Sequence, residues 1–309
     1  MSALLPAPIA PVTAPVTAPH SARALLRAKG RTFWLAAKLL PAGLKDEVAV
    51  LYAFCRVVDD AVDEAENPAA AREAALRLAR ELEGEAPRPE VATFRELAVR
   101  RGLELRCARE LLQGVTSDLG PVRVADDAGL LRYAYLVAGT VGAMMERLLG
   151  STDPGARATA IELGIAMQLT NICRDVREDA VRDRVYLPAS RLRAHGVDPD
   201  AVARGEVEGA RLAPVVREVL ALADRHYHAA RAGYRFLPWR ARAAVAVAAR
   251  LYRQIGVNLG ARQGADPLRG RVVVPTLQKL GLAALELLRL ARGPSLAEPE
   301  RRFLHAPPG

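Results

Sequence analysis

Cysteine is scarce in this chain of 309 residues. Cys55, Cys107 and Cys173 are odd in number, far apart and without C-x-x-C spacing. That excludes a disulfide framework and a thiolate zinc centre. Each is expected as a small buried core residue in a reducing compartment. Histidine is also sparse. His195, His226 and His228 share no spacing with other ligands, and the last two, at i and i+2, point to different faces of a helix. All three are expected at the surface. No long alternation of Val, Ile and Thr occurs, which argues against an extended sheet. No apolar run reaches the roughly 18 residues of a membrane span, and no G-x-G-x-x-G follows a strand to cradle a dinucleotide.

The first twenty residues, MSALLPAPIAPVTAPVTAPH, lack a basic leading segment, and proline interrupts every apolar stretch. They read as a disordered tail and not as a signal peptide. A cytoplasmic location is expected, with at most weak peripheral contact at the inner face of the membrane. The basic stretches around Arg23, Arg27 and Lys38 and from Arg235 to Arg242 are the candidates for that contact. The net charge is +9, but arginines and acids are interleaved along the chain. Nucleic acid is therefore not expected as a partner, whereas phosphorylated small molecules and anionic lipid are compatible.

What the chain does contain is Ala, Leu, Arg and Glu in helical periodicity, so an all-α fold is expected. Breakers such as LLPAG, ENP, EGEAPRP, STDPG and HGVDPD divide it into helices near 21–40, 43–65, 69–83, 89–101, 103–118, 127–149, 155–181, 210–235, 239–260 and 275–292. Residues 21–292 read as one helical domain between tails at 1–20 and 293–309.

Two segments break the amphipathic rule. In LYAFCRVVDDAVDE, Asp59 and Asp63 stand at i, i+4 beside Asp60 on an otherwise apolar helix, a spacing at which like charges repel. In QLTNICRDVREDAVRDRVYLP, Asp175 and Asp179 repeat the arrangement, with Asn171 and Gln168 one and two turns earlier. Two such pairs can face each other across a helical bundle, as carboxylates do in bundle metal sites. Oxygen donors without His or Cys select Mg²⁺ or Mn²⁺, and Mg²⁺ bound by few carboxylates completes its shell with water and phosphate. Arg56, Arg174, Arg182 and Arg184 flank the pairs and suit bidentate phosphate contact. The combination points to ionisation of a diphosphate ester beside an apolar pocket.

These segments resemble the squalene/phytoene synthase family of head-to-head prenyl synthases. YAFCRVVDDAVDE is similar to the family's first aspartate motif and QLTNICRDVREDAVRDRVYLP to its second. GRTFWLAAKLLP resembles the segment over the diphosphate site, and YAYLVAGTVGAMM the helix lining the prenyl tunnel. The resemblance implies an isoprenoid synthase helical bundle around a central apolar cavity. It also implies Mg²⁺ dependence and coupling of two prenyl diphosphates through a cyclopropyl diphosphate. It places Asp59, Asp63, Asn171, Asp175 and Asp179 on metal–diphosphate positions. Arg56, Arg174, Arg184, Tyr252 and Arg271 fall on substrate-contacting positions, and Tyr133, Val137, Val141, Gly142 and Gln168 along the tunnel. Many members read His-Ser-Lys-Ser/Thr-Phe where this chain has KGRTF, so Lys29 and Arg31 keep only the basic character there.

Within the family the chain is most similar to bacterial phytoene synthases, which implies two geranylgeranyl diphosphates as substrates and no NADPH. The alternative is a squalene, dehydrosqualene or hydroxysqualene synthase using farnesyl diphosphate. Phe33 resembles a residue near the reacting ends of the prenyl chains. Ala37, one turn on, takes the place where users of C15 substrates can carry a bulky aromatic, which tilts the reading toward C20. The spacing of Asn171, Asp175 and Asp179 favours coupling over terpene cyclisation. A non-catalytic assembly factor of the same fold would be expected to have lost the aspartates.

Overall fold

The computed structural model describes residues 19–151, 153–261 and 266–292. The chain opens with α1 (Pro19–Lys29), α2 (Arg31–Ala37), α3 (Ala42–Asp63), α4 (Pro68–Glu83), α5 (Pro89–Arg101) and α6 (Leu105–Thr116). A two-residue strand β1 (Val122–Arg123) precedes α7 (Asp127–Ala134), a π turn (Tyr135–Gly139) and α8 (Thr140–Leu148). Then follow α9 (Ala156–Arg174), α10 (Val176–Val181), β2 (Arg184–Val185), α11 (Ala189–Ala194) and α12 (Pro199–Ala203). The last elements are α13 (Gly209–Arg231), a 3-10 turn (Ala232–Phe236), α14 (Trp239–Ala261) and α15 (Thr276–Ala291). The all-α expectation holds. The expected tails at 1–20 and 293–309 lie outside the described residues, except Pro19 and His20, which begin α1.

Local chemistry sets the ends. Asn67 accepts the backbone N–H of Ala70 at 2.9 Å ahead of Pro68, and Asp126 accepts that of Gly129 at 2.9 Å, each a side-chain cap on an orphan donor. Several boundaries differ from the sequence reading. The segment 21–40 is two helices parted at Gly30, and 155–181 is broken at Asp175, whose φ of −105° and ψ of 17° leave the helical region. Two short helices, α11 and α12, were not expected. Nor was the parallel β1–β2 pair, which aligns Val122 with Arg184.

Two apolar cores flank the centre. One joins Leu26, Leu51, Phe54, Leu78, Phe94 and Leu111 from the N-terminal helices, with Phe54 and Phe94 stacked at 3.8 Å between centroids. The other joins Leu130, Leu169, Leu212, Val216 and Leu259. Between them Phe33, Val137, Val141, Ile161, Met167 and Tyr252 pack against one core or the other yet keep accessible surface. They form an apolar cleft wall. The helix through Asp127–Leu148 is, among the described residues, the one long and apolar enough to cross a membrane by length and composition. Here it packs against α6 and α9. That approach depends on glycine. A Cβ at Gly142 would stand 2.2 Å from the Ala160 carbonyl oxygen, and one at Gly164 2.2 Å from that of Ala138.

Candidate active site

Helix α3 delivers the first acidic pair at its C-terminal end. Arg56 pairs with Asp60 and lies 3.6 Å from Asp59, so the third acid of the run is neutralised within its own helix. Asp63 is held from the other side of the cleft, by Arg182 Nη1 at 3.0 Å and Arg184 Nη1 at 3.1 Å. Both arginines are aimed by the tight turn at Asp183, whose φ of +58° is left-handed, a conformation aspartate tolerates better than most residues. Arg123 fixes that turn by donating to the Asp183 carbonyl at 2.8 Å and to its carboxylate at 2.5 Å.

The second acidic group sits where α9 gives way to α10. Arg174 donates through Nε to Asp175 Oδ1 at 2.7 Å, and Arg271 Nε reaches the same oxygen at 3.1 Å. Asn171 Nδ2 donates to Gln168 Oε1 at 3.4 Å, while Asn171 Oδ1 is buried without a partner. Burial, opposed by Arg56 and aided by Asp63, pushes the Asp59 carboxyl up to about 7. Burial and the Asp175 charge do the same to Asp179. The Asp59 side chain keeps 42% of its surface accessible.

One participant was not anticipated. Asp118, just after α6, is 8% exposed and accepts the Tyr133 hydroxyl at 2.8 Å through Oδ2. Its Oδ1 is buried with no hydrogen-bond partner. Burial raises its pKa against the Tyr133 and Tyr186 hydroxyls and the Arg184 charge. Its own charge bears on both Asp59 and Asp179, so it stands between the two acidic groups. Tyr133 stacks on Tyr186 at 4.6 Å. Burial and Asp118 hold the Tyr133 phenol neutral, well above its ordinary value. The only sequence signal was an acid ending an apolar helix, which is common on protein surfaces.

Other assigned residues fall as follows. The rings of Phe33 and Tyr252 lie 5.0 Å apart, with Tyr52 6.5 Å from Phe33. Tyr252 neighbours Arg174, Arg271 and Asp175, and burial pushes its phenol up to about 12. Gln168, Val137 and Val141 keep surface toward the cleft. Gly142 stands at the α8–α9 contact described above. Ala37 is only 3% accessible and belongs to the N-terminal core. Arg31 is exposed at the start of α2, near Lys279 and away from the acids. Cys107 and Cys173 are buried and free, whereas Cys55 is half-buried, beside Asp59. His195 is exposed and bonds Glu218 at 2.8 Å. His226 departs from the surface expectation: it is half-buried in a close pair with Glu162.

The donor set suits a hard divalent cation. It is all oxygen, from carboxylates and one amide, and two of its atoms, Asn171 Oδ1 and Asp118 Oδ1, are orphaned in the interior. Among the described residues no three acids stand close enough to ligate one ion together; guanidinium groups hold Asp63 and Asp175 instead. Acids, arginines and aromatic rings around an apolar cleft in an all-α bundle are the architecture of prenyl diphosphate synthases. Residues 26–278 match the squalene/phytoene synthase family, and the chain belongs to it.

Its curated relatives include phytoene synthases. That of Pseudescherichia vulneris is 38% identical over 248 residues, 76% of this chain and 80% of the relative. The 15-cis-phytoene synthase of a Paracoccus species is 36% identical, covering 82% and 86%. The phytoene synthase of Thermus thermophilus is 41% identical, covering 75% and 79%. Among solved structures, a dehydrosqualene synthase in complex with ligand superposes with a TM-score of 0.79 at 26% identity, over 89% of this chain and 96% of the other. A squalene synthase from Alicyclobacillus acidocaldarius shares the fold, at a TM-score of 0.68 and 23% identity, over 81% and 95%.

Proposed function

We propose that this chain is a phytoene synthase. It joins two C20 prenyl diphosphates head to head, through a cyclopropyl diphosphate, and releases diphosphate in each step. The observation that carries the reading is the meeting of Asp63 with Arg182 and Arg184, residues of the second motif segment, across an apolar cleft. Relatives named phytoene synthase at 36–41% identity support the C20 substrate over C15.

Asp59, Asp63, Asn171, Asp175 and Asp179 would hold Mg²⁺, or Mn²⁺ in its place, which when bound neutralises the oxygens of a departing diphosphate. Arg56, Arg174, Arg184 and Arg271 add fixed positive charge on the same side, preorganised by their aspartate partners. Arg31 lies further out and would meet the diphosphate at the cleft entrance. The allylic cation left behind faces Phe33, Tyr52 and Tyr252, whose ring faces stabilise positive charge without offering a nucleophile. Val137, Val141 and Gln168 would line the tails.

Phytoene formation ends in loss of a proton. Tyr133 gives its own hydroxyl proton to a hydrogen bond with Asp118, so its oxygen lone pairs are the part left to face the cleft. That oxygen can take a proton from the last cation while Asp118 receives the phenolic one. The decisive experiment incubates the protein with Mg²⁺ and either C15 or C20 diphosphate, with and without NADPH, followed by mass analysis. A C40 hydrocarbon formed without NADPH is expected; a C30 product alone would replace this reading with a squalene-type one.

A further inference from the structure

Helix α15 is inverted for a surface helix. Its outward face carries Leu277, Leu280, Leu285 and Leu288, which are 85%, 52%, 52% and 53% exposed. The steps between them are three, five and three residues, which at about 100° per residue keep all four on one side of the helix. Its one acid, Glu286, is turned inward at 7% exposure, with Arg289 3.6 Å away. Of the nine exposed large apolar residues among the described ones, five lie between Val273 and Leu288, so this is a patch and not scatter. The inner face, through Leu282, Ala283 and Leu287, packs on Ala36 of α2 and Val247 and Leu251 of α14.

The rim of the stripe is basic. Lys279 lies beside Arg31, and Arg31 shares a groove with Arg23, Arg27 and Trp34. Arg289 and Arg292 follow at the other end. The two basic stretches picked from sequence are more engaged. Arg23 is bound to Asp46, and Arg242 donates to the carbonyls of Arg235 and Leu237.

We propose that the leucine stripe of α15, with its Lys279–Arg31 rim, docks this protein on an anionic lipid surface. Charge selects this occupant. A second copy related by a two-fold axis would bring the Lys279 and Arg31 rims of the two copies together, in a chain already at net charge +9. Residues 1–18 carry no charged side chain, and 293–309 carry two glutamates and two arginines; neither segment complements the rim. A bilayer with acidic headgroups satisfies both halves of the patch: the leucines enter the acyl boundary and the basic side chains meet the headgroups.

The test uses the full chain and flotation with vesicles of phosphatidylcholine alone or mixed with phosphatidylglycerol. Wild-type protein is expected to float with the mixed vesicles at low salt and to be released at high salt. Leu277→Ser should weaken partition about tenfold, and Leu277→Ser with Leu288→Ser should abolish it, with helical content and turnover on detergent-dispersed substrate unchanged. Failure of the wild type to float, or equal flotation of wild type and both variants, overturns the assignment. So does a lipid-free sedimentation experiment in which the variants convert a dimer to a monomer, which would make the stripe a contact between copies. Leu277→Ser, at the most exposed position, keeps the test valid if the double variant fails to fold.

Discussion

Arg184 Nη1 lies 3.1 Å from Asp63 Oδ1, although 121 residues separate the two in the chain. Arg184 has little freedom: its side chain is 13% exposed and its backbone belongs to the β1–β2 pair. Arg184→Gln is expected to lower turnover roughly 10²- to 10³-fold, the usual effect of removing one preorganised electrostatic contact. Pyrophosphate release at saturating Mg²⁺ measures it. Arg182→Gln, at 54% exposure, should have a much smaller effect.

Asp59 and Asp179 make stability depend on pH. Both carboxyls titrate near 7 in the folded chain against an ordinary value of 3.8. Between about pH 4 and 7 the folded state therefore keeps protons that the unfolded state has lost, and stability falls as pH rises through that window. In EDTA the melting temperature should drop from pH 5 to pH 7.5, and Mg²⁺ should reverse the drop. Asp59→Asn should flatten the profile and raise the metal-free melting temperature at pH 7.5, while cutting turnover by orders of magnitude.

The Tyr133–Asp118 pair predicts an effect on product and not on the first chemical step. Tyr133→Phe should leave pyrophosphate release largely intact but slow the last proton loss about 10²-fold. Cations trapped by water would then accumulate as alcohols, and the ratio of hydrocarbon to pyrophosphate should fall. Asp118→Asn should move the ratio the same way. Chromatography of the products alongside a pyrophosphate assay decides; an unchanged ratio in both variants removes the relay.

Ala37 has two consequences when enlarged. It is nearly closed off in the N-terminal core, so Ala37→Phe should overpack it and lower stability by about 1–3 kcal/mol. The remaining activity should shift from C20 toward C15 substrate, because the added ring projects from the face that carries Phe33. Thermal melts and paired assays with the two substrates measure both; a destabilised protein with an unchanged ratio would give Ala37 a packing role in the core alone.

The acidic motifs were legible in sequence because charge on an apolar helix face has no bland explanation when it occurs twice with arginines alongside. The helices were legible from periodicity and their breakers. Asp118 was not, because a single acid after a helix looks like any exposed end; only its burial against Tyr133 and Tyr186 shows its place. The break at Asp175 carries no glycine or proline, so nothing in the letters marked it. Helices α11 and α12 are six and five residues long, too short to show a period. The outward leucine stripe of α15 was not legible either, since periodicity gives the side of a helix but not which way that side looks.

The π turn at Tyr135–Gly139 lies between Tyr133, which answers to Asp118, and Val141, farther along the cleft wall. A π turn is one residue wider than an α turn. Removing a single residue there would let the helix close regularly and rotate everything before it by about 100° relative to everything after it. Tyr133 would then swing off Asp118 while Val141 stayed in the wall. The length of this segment is thus a specification in its own right: a shortened chain with every named side chain intact would still have Tyr133 out of phase with Val141.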